Sequence, residues 1–181
     1  VGPQNLEEEI RQYQPLFNRF YREEMGKKLG LAILDSEFTQ LVQRMFQLLQ
    51  NQRLDYTNFF RFLADYPGIP HPANNNGGDE LRSWLNNYLE LARREGLSHE
   101  ERKLQMDSVN PKYILRSHLI QSALDKALKE ADFSEIQRLR ILLENPFQER
   151  PEVFEKYGID SEYYAQDTPE TFLGQQTSCS A

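Results

Sequence analysis

From Leu6 to Leu29 apolar side chains recur at Leu6, Ile10, Tyr13, Phe17, Phe20 and Tyr21, a spacing of three and four that lines one face of an α-helix. Pro15 lies inside that run and predicts a kink or a split, because proline lacks the amide N–H and its ring crowds the preceding turn. Lys27, Lys28 and Leu29 lead into Gly30. The cations complement the negative helix end and glycine readily takes the left-handed cap, so the helix is expected to stop there.

A second stripe, Phe38, Leu41, Val42, Met45, Leu48 and Leu49, follows a cap at Asp35 or Ser36. Asp55 starts a third helix, with Leu54 and Phe59 at the two positions of a hydrophobic staple and Phe60, Phe62 and Leu63 continuing inward. Pro67 ends it. Tyr66–Asp79 holds three prolines, three consecutive asparagines and three glycines, a composition that predicts a flexible surface loop. Helix four is expected from about Glu80 to Glu95 through Leu81, Trp84, Leu85, Tyr88 and Ala92, with Gly96 as its cap. Ser98 and Glu101 have the spacing of a capping box for a short fifth helix.

Asn110-Pro111 reads as the start of helix six, since asparagine caps well and proline at the first helical position gives up no needed hydrogen bond. Tyr113, Ile114, Leu119, Ile120, Ala123, Leu124, Ala127 and Leu128 cover more than one stripe, which marks this helix as largely buried and central. Asp132 and Glu135 repeat the capping spacing before Ile136, Leu139, Leu142 and Leu143, and Asn145-Pro146 stops that helix. No segment reads as a β-strand. The expected fold is all-α, an irregular bundle of about six or seven helices. Residues 1–157 form its helical domain, and 158–181 form a flexible tail ending in a disordered stretch that carries Cys179.

Composition narrows the function. The 181 residues carry a formal charge of −7 and a sequence pI near 5.1, with Lys and Arg scattered among Glu and Asp, so phosphate backbones and anionic lipid are repelled. Nucleic acid and membrane surfaces are not expected partners. No apolar run reaches the roughly 18 residues of a spanning helix, and the start lacks the layout of a secretory signal, which makes a cytoplasmic location the expectation. A single cysteine, Cys179, excludes an internal disulfide and a thiolate-rich zinc site. The opening Val1-Gly2-Pro3-Gln4 has no initiator Met, as a piece of a longer protein would.

Motifs for self-contained chemistry fail on their residues. Asn51–Asp55 between two helices is too short for an EF-hand and lacks its glycine and closing glutamate. His71, His99 and His118 have no second ligand at helical spacing. Glu7, Glu8 and Glu9 read as a solvated, dipole-complementing helix start, and Gly77-Gly78 lacks the Lys-Ser/Thr of a phosphate loop. No catalytic, cofactor-binding or metal-binding residue is therefore assigned within residues 1–181.

Two segments carry more. Met106-Asp107-Ser108-Val109-Asn110-Pro111-Lys112-Tyr113-Ile114-Leu115-Arg116 and the terminal Ser178-Cys179-Ser180-Ala181 resemble the C-terminal region of the selenoprotein O family. Its members carry Met-x-x-x-Asn-Pro-x-Tyr-[Ile/Val]-x-Arg and end in Ser-Cys-Ser-Ser or a selenocysteine variant. Lys28-Leu29-Gly30-Leu31, Asp55-Tyr56-Thr57, Phe59-Phe60-Arg61-Phe62-Leu63 and Glu144-Asn145-Pro146-Phe147 match in the same order. The resemblance implies a parent protein of pseudokinase fold that transfers AMP from ATP to Ser, Thr or Tyr hydroxyls of proteins, with Mg²⁺ or Mn²⁺. The family's catalytic lysine, aspartate and asparagine precede this region, so none is carried over. The implied partners are an N-terminal pseudokinase domain of the same chain and the parent's protein substrates. Cys179 stands where relatives have selenocysteine, which implies a redox-sensitive tail; the alternative is an inert tail thiol. A competing reading is a stand-alone helical module that binds partner proteins through an exposed aromatic face, with no nucleotide chemistry.

Overall fold

A computed structural model describes residues 3–67 and 78–172, with side chains from Ile10 onward. Among these residues the chain is all-α, with nine α-helices in the order α1 (Pro3–Leu29), α2 (Ser36–Gln52), α3 (Tyr56–Asp65), α4 (Gly78–Arg94), α5 (His99–Val109), α6 (Ser117–Glu130), α7 (Ser134–Leu143), α8 (Pro151–Tyr157) and α9 (Ser161–Ala165). A 3₁₀ turn at Glu170–Phe172 follows. Most of the Pro/Asn/Gly loop, and the tail with Cys179, lie outside the described residues.

Helix ends follow local chemistry. The Asp35 and Asp55 carboxylates accept from the backbone N–H of Phe38 and Asn58, both at 2.9 Å, and Ser98 with Glu101 forms both bonds of a capping box. Gly30, at φ +64°, closes α1: its N–H reaches Lys27 O at 3.2 Å and that of Leu31 reaches Gly26 O at 2.9 Å, a Schellman pair. A side chain at Gly30 would also meet the Arg102 and Met106 side chains, its Cβ falling 2.6 Å from Arg102 Cγ. Helix α1 runs unbroken through Pro15, so the expected split does not occur.

Two apolar clusters form. The first joins the end of α1 to α2, α3, α4 and Met106 of α5, with Leu29, Met45, Phe60, Leu63 and Tyr88 fully enclosed. Trp84 lies between Phe59 and Tyr88, ring centroids 5.4 and 5.6 Å away, and its Nε1 donates to Leu41 O at 3.0 Å. The second cluster gathers Tyr113, Leu119, Ala123, Leu139, Ile141, Leu142, Phe154, Ile159 and Tyr164. Residues 158–165, read from sequence as tail, thus contribute two buried side chains and the helix α9.

Two expectations about helix six need correction. It begins at Ser117, because Asn110 closes α5 instead: its N–H bonds to Met106 O at 2.9 Å while its amide is spent on another helix. Nor is α6 central. Only Leu119 and Ala123 are buried on it, whereas Ile120, Leu124 and Leu128 are exposed. The apolar pattern reported faces able to be buried, and the described residues cover only one of them.

Leu119→Ala should therefore cost about 2–5 kcal/mol in a urea melt, as deletion of a buried leucine does, while Ile120→Ala should cost less than about 1 kcal/mol. Equal losses at the two sites would contradict this packing of α6.

Candidate functional site

The residues quoted above as a family-like pattern converge on a polar seam between the two clusters. At its centre the C-terminal carbonyls of α1 point inward, where no further helical turn can satisfy them. Asn110, 1% exposed, donates from Nδ2 to Lys28 O at 2.9 Å and accepts from Lys28 Nζ at 3.0 Å. The Tyr88 hydroxyl donates to Leu29 O at 2.9 Å, and burial pushes that phenol up to about 12. Arg61 of α3 completes the junction, reaching Asn110 O at 3.2 Å and the Asp107 carboxylate at 2.9 Å. Lys103 bridges Asp107 and Asp65 at 2.8 and 2.5 Å.

Lys28 sits over the faces of Phe60 and Tyr56, 4.8 and 5.6 Å from their centroids. This arrangement stabilises a cation against aromatic quadrupoles. Burial lowers the Lys28 amine below its ordinary value.

The other half of the seam is the Asp55–Arg116 pair. Arg116, with only 4% of its side chain exposed, forks onto both Asp55 oxygens at 2.5 and 3.1 Å, a bidentate geometry that suits guanidinium and carboxylate. Asp55 thus caps α3 and neutralises Arg116 together. Burial alone would raise its carboxyl, but hydrogen bonds from Arg116 and the Asn58 N–H, with the Arg116 charge, hold it below the ordinary carboxylate range. Asn58 Nδ2 then donates to Ala165 O at 2.9 Å and to Asp167 at 2.5 Å, and Arg116 reaches Thr168 at 3.5 Å. These contacts tie the chain after α9 onto α3.

Pro146 and Tyr113 fix the second cluster to the same place. The N–H groups of Lys112 and Tyr113 both donate to Pro146 O, at 2.8 and 3.1 Å, and the Tyr113 hydroxyl bonds Ser161 at 2.8 Å. Glu135, read from sequence as a cap, is instead 3% exposed. It accepts from Tyr164, Lys126 and Arg138 at 2.5, 2.9 and 3.2 Å, and Asp132 makes the local bonds to Ser134. Burial would raise the Glu135 carboxyl; its three donors hold it low, while burial and the Glu135 bond raise Tyr164.

The seam positions backbone and packs helices; it does not present a nucleophile beside a base. Cys179 lies outside the described residues, as does His71. His99 is engaged with Arg102 at 3.2 Å, and His118, its pKa lowered by burial and by Arg116, lies against Phe172 with centroids 5.9 Å apart. Among the described residues no group of three or more His, Cys, Asp and Glu could hold a metal ion, and no helix is long and apolar enough to cross a membrane. Of the seam residues, Asp55, Arg61, Asn110, Tyr113 and Arg116 were visible as a pattern but not as one junction. Asn58 and Glu135 carried no signal of their tertiary roles.

Comparison with known proteins places the pattern in context. The family model described as Protein adenylyltransferase SelO matches residues 1–144. Among curated relatives, the "Protein nucleotidyltransferase YdiU" of Pseudomonas fluorescens (strain Pf0-1) is 34% identical over 186 residues, covering 100% of this chain and 36% of its own length. That of Vibrio vulnificus (strain YJ016) is 38% identical over 190 residues, covering 100% and 37%. That of Aliivibrio fischeri (strain MJ11) is 34% identical over 184 residues, covering 100% and 36%. The chain thus spans little more than a third of the length of the relatives it matches.

Asp55→Ala should destabilise the protein by about 3–5 kcal/mol, because it leaves Arg116 buried and unpaired. The linkage has a definite sign. Asp55 is held below its unfolded value, so its contribution is fully present above an unfolded pKa of about 3.9 and is lost as pH falls through the lower folded value. Urea melts of wild type and Asp55→Asn should show a smaller acid loss for the variant below about pH 4. Parallel stability curves would contradict the pairing.

Proposed function

Since the chain belongs to the protein adenylyltransferase SelO family, we propose that it is the helical C-terminal domain of a longer enzyme that moves AMP from ATP onto Ser, Thr or Tyr hydroxyls of proteins. In that reaction a substrate hydroxyl attacks the α-phosphorus and pyrophosphate leaves. The observation that carries the reading is the alignment of the whole chain with just over a third of each nucleotidyltransferase, in a chain whose family-like residues are engaged in holding helices together. In this reading the domain packs against and supports a pseudokinase domain in the remainder of the protein.

The described residues do not fit ATP or its divalent metal: their acidic side chains form no metal-holding cluster, and the seam cations are turned onto carboxylates, carbonyls and aromatic rings. ATP and Mg²⁺ or Mn²⁺ belong, in this proposal, to the parent's pseudokinase domain.

The tail cysteine supplies the second part of the proposal. Asn58 and Arg116 fix the chain at residues 165–168, and Cys179 follows in a stretch rich in Ser, Gln and Thr. A thiolate there could attack a disulfide, taking one sulfur into a mixed disulfide while the other leaves as a thiolate. Because Cys179 is the only thiol in the chain, its partner is a cysteine elsewhere in the parent or a small thiol such as glutathione.

With ATP and Mg²⁺, the full-length parent should label a test protein with AMP, whereas residues 1–181 alone should neither label it nor bind ATP in a calorimeter. Oxidation with glutathione disulfide should change the parent's transfer rate, and Cys179→Ser should abolish that change. An unlabelled test protein would overturn the enzymatic reading. An unchanged redox response in the variant would leave Cys179 an inert thiol.

A further inference from the structure

Helix α1 poses a physical problem. Every side chain from Ile10 to Glu24 is exposed, so more than three helical turns bury none of their side chains, although Arg22 donates to Leu34 O near the end of the stretch. Six large apolar side chains lie on that stretch: Ile10, Tyr13, Leu16, Phe17, Phe20 and Tyr21, each 40–63% exposed. At 100° per residue they fall within a face about 140° wide, while Arg11, Gln12, Gln14, Asn18, Arg19, Arg22 and Glu23 take the rest of the circumference. Tyr13, Phe17 and Tyr21 stack in register, with ring centroids 5.9 and 6.0 Å apart.

Such a helix is built to be covered on one side. Side-chain stacking along one face adds only fractions of a kcal/mol per pair, and helices in water gain most of their stability from tertiary packing of the apolar face. A contiguous aromatic patch rimmed by charge is likewise the mark of a contact surface.

What covers it follows from the extent of the relatives. The stripe lies inside the family-matched residues 1–144, so the segment that carries it aligns with the family. The relatives match the chain from end to end and continue well beyond it, so their larger part is available as a permanent neighbour. The end of α1 is also rigidly set, through Gly30, Asn110 and Tyr88, which gives the projecting turns a fixed direction. We infer that the Ile10–Tyr21 aromatic face of α1 is the docking surface for the remaining part of the same nucleotidyltransferase polypeptide. The inference rests on the proposed function and names the surface through which the helical domain supports its neighbour. Its occupant is the rest of the same chain, with the aromatic rings as anchors in apolar pockets, as at other interfaces where a few buried aromatics dominate.

The test uses the full-length parent protein with a photo-crosslinking benzoylphenylalanine in place of Phe17, and the same residue in place of Arg19 on the polar face as control. Mass spectrometry should find Phe17-position cross-links inside the same polypeptide, to residues outside 1–181, and few from position 19. Cross-links to a second copy, to helices within residues 1–181, or none at all would each overturn the assignment. Hydroxyl-radical footprinting of the unsubstituted protein guards against misfolding of the variants: Tyr13, Phe17 and Tyr21 should oxidise several-fold more slowly than in urea-unfolded protein, because a covered ring is shielded from solvent. Equal rates would count against the inference. AMP transfer measured on the same preparation separates the two claims. Intramolecular cross-links without transfer would overturn the enzymatic reading alone, and transfer without them would overturn the docking surface alone.

Discussion

A helix that ends inside a protein must hand its last carbonyl groups to some donor, and that constraint organises this molecule. At the end of α1, Lys28 O and Leu29 O face the interior, and they are met by the Asn110 amide and the Tyr88 hydroxyl. A buried carbonyl left without a donor costs roughly 1–3 kcal/mol. The donors therefore fix the arrangement of α1, α4 and α5. Gly30 makes the approach possible, since its positive φ closes the helix and its missing Cβ leaves room for the Arg102 and Met106 side chains. From Asn110 the chain turns through Pro111 into Tyr113 and Arg116, so the residue that ends α5 also sets where the second cluster begins. The Asp55–Arg116 pair then locks α3 to the start of α6.

What could be read from sequence was what local chemistry decides. Asp35, Asp55 and the Ser98–Glu101 pair announced their helix starts because a cap bonds to N–H groups only two or three residues away. Asn110-Pro111 misled for the same reason. An asparagine whose amide serves a helix 82 residues earlier has the same neighbours in sequence as one that caps the next turn. Glu135 shows the converse error, since its spacing from Asp132 suggested a capping box while burial and three donors gave it a tertiary role. Periodicity likewise counted apolar positions on α6 without knowing which of its faces would find a neighbour.

The candidate site was legible only as a pattern. Lys28, Asp55, Arg61, Asn110, Tyr113 and Arg116 belong to segments whose likeness to a known family could be noted, yet their shared purpose required the fold to bring positions 28, 55, 110 and 116 together. A polar pattern in a chain similar to nucleotidyltransferases invites a catalytic reading. The geometry gives it a mechanical one: these groups spend their hydrogen bonds inside the domain, on backbone carbonyls, helix caps, a side-chain amide or hydroxyl, or a buried partner charge. The chemistry proposed for the longer protein and the mechanics found in this domain are then complementary, because a rigid junction near the end of α1 fixes the direction in which the aromatic turns of that helix project.

The central claim is that the polar seam makes the two apolar clusters one cooperative unit. Trp84, the only tryptophan, reports the first cluster, and amide exchange at Ile141 and Leu142 reports the second. In urea, wild type should show one midpoint by both probes, and Arg116→Ala should separate them, with the second cluster opening first. Distinct midpoints in wild type, or coincident ones in the variant, would contradict the account.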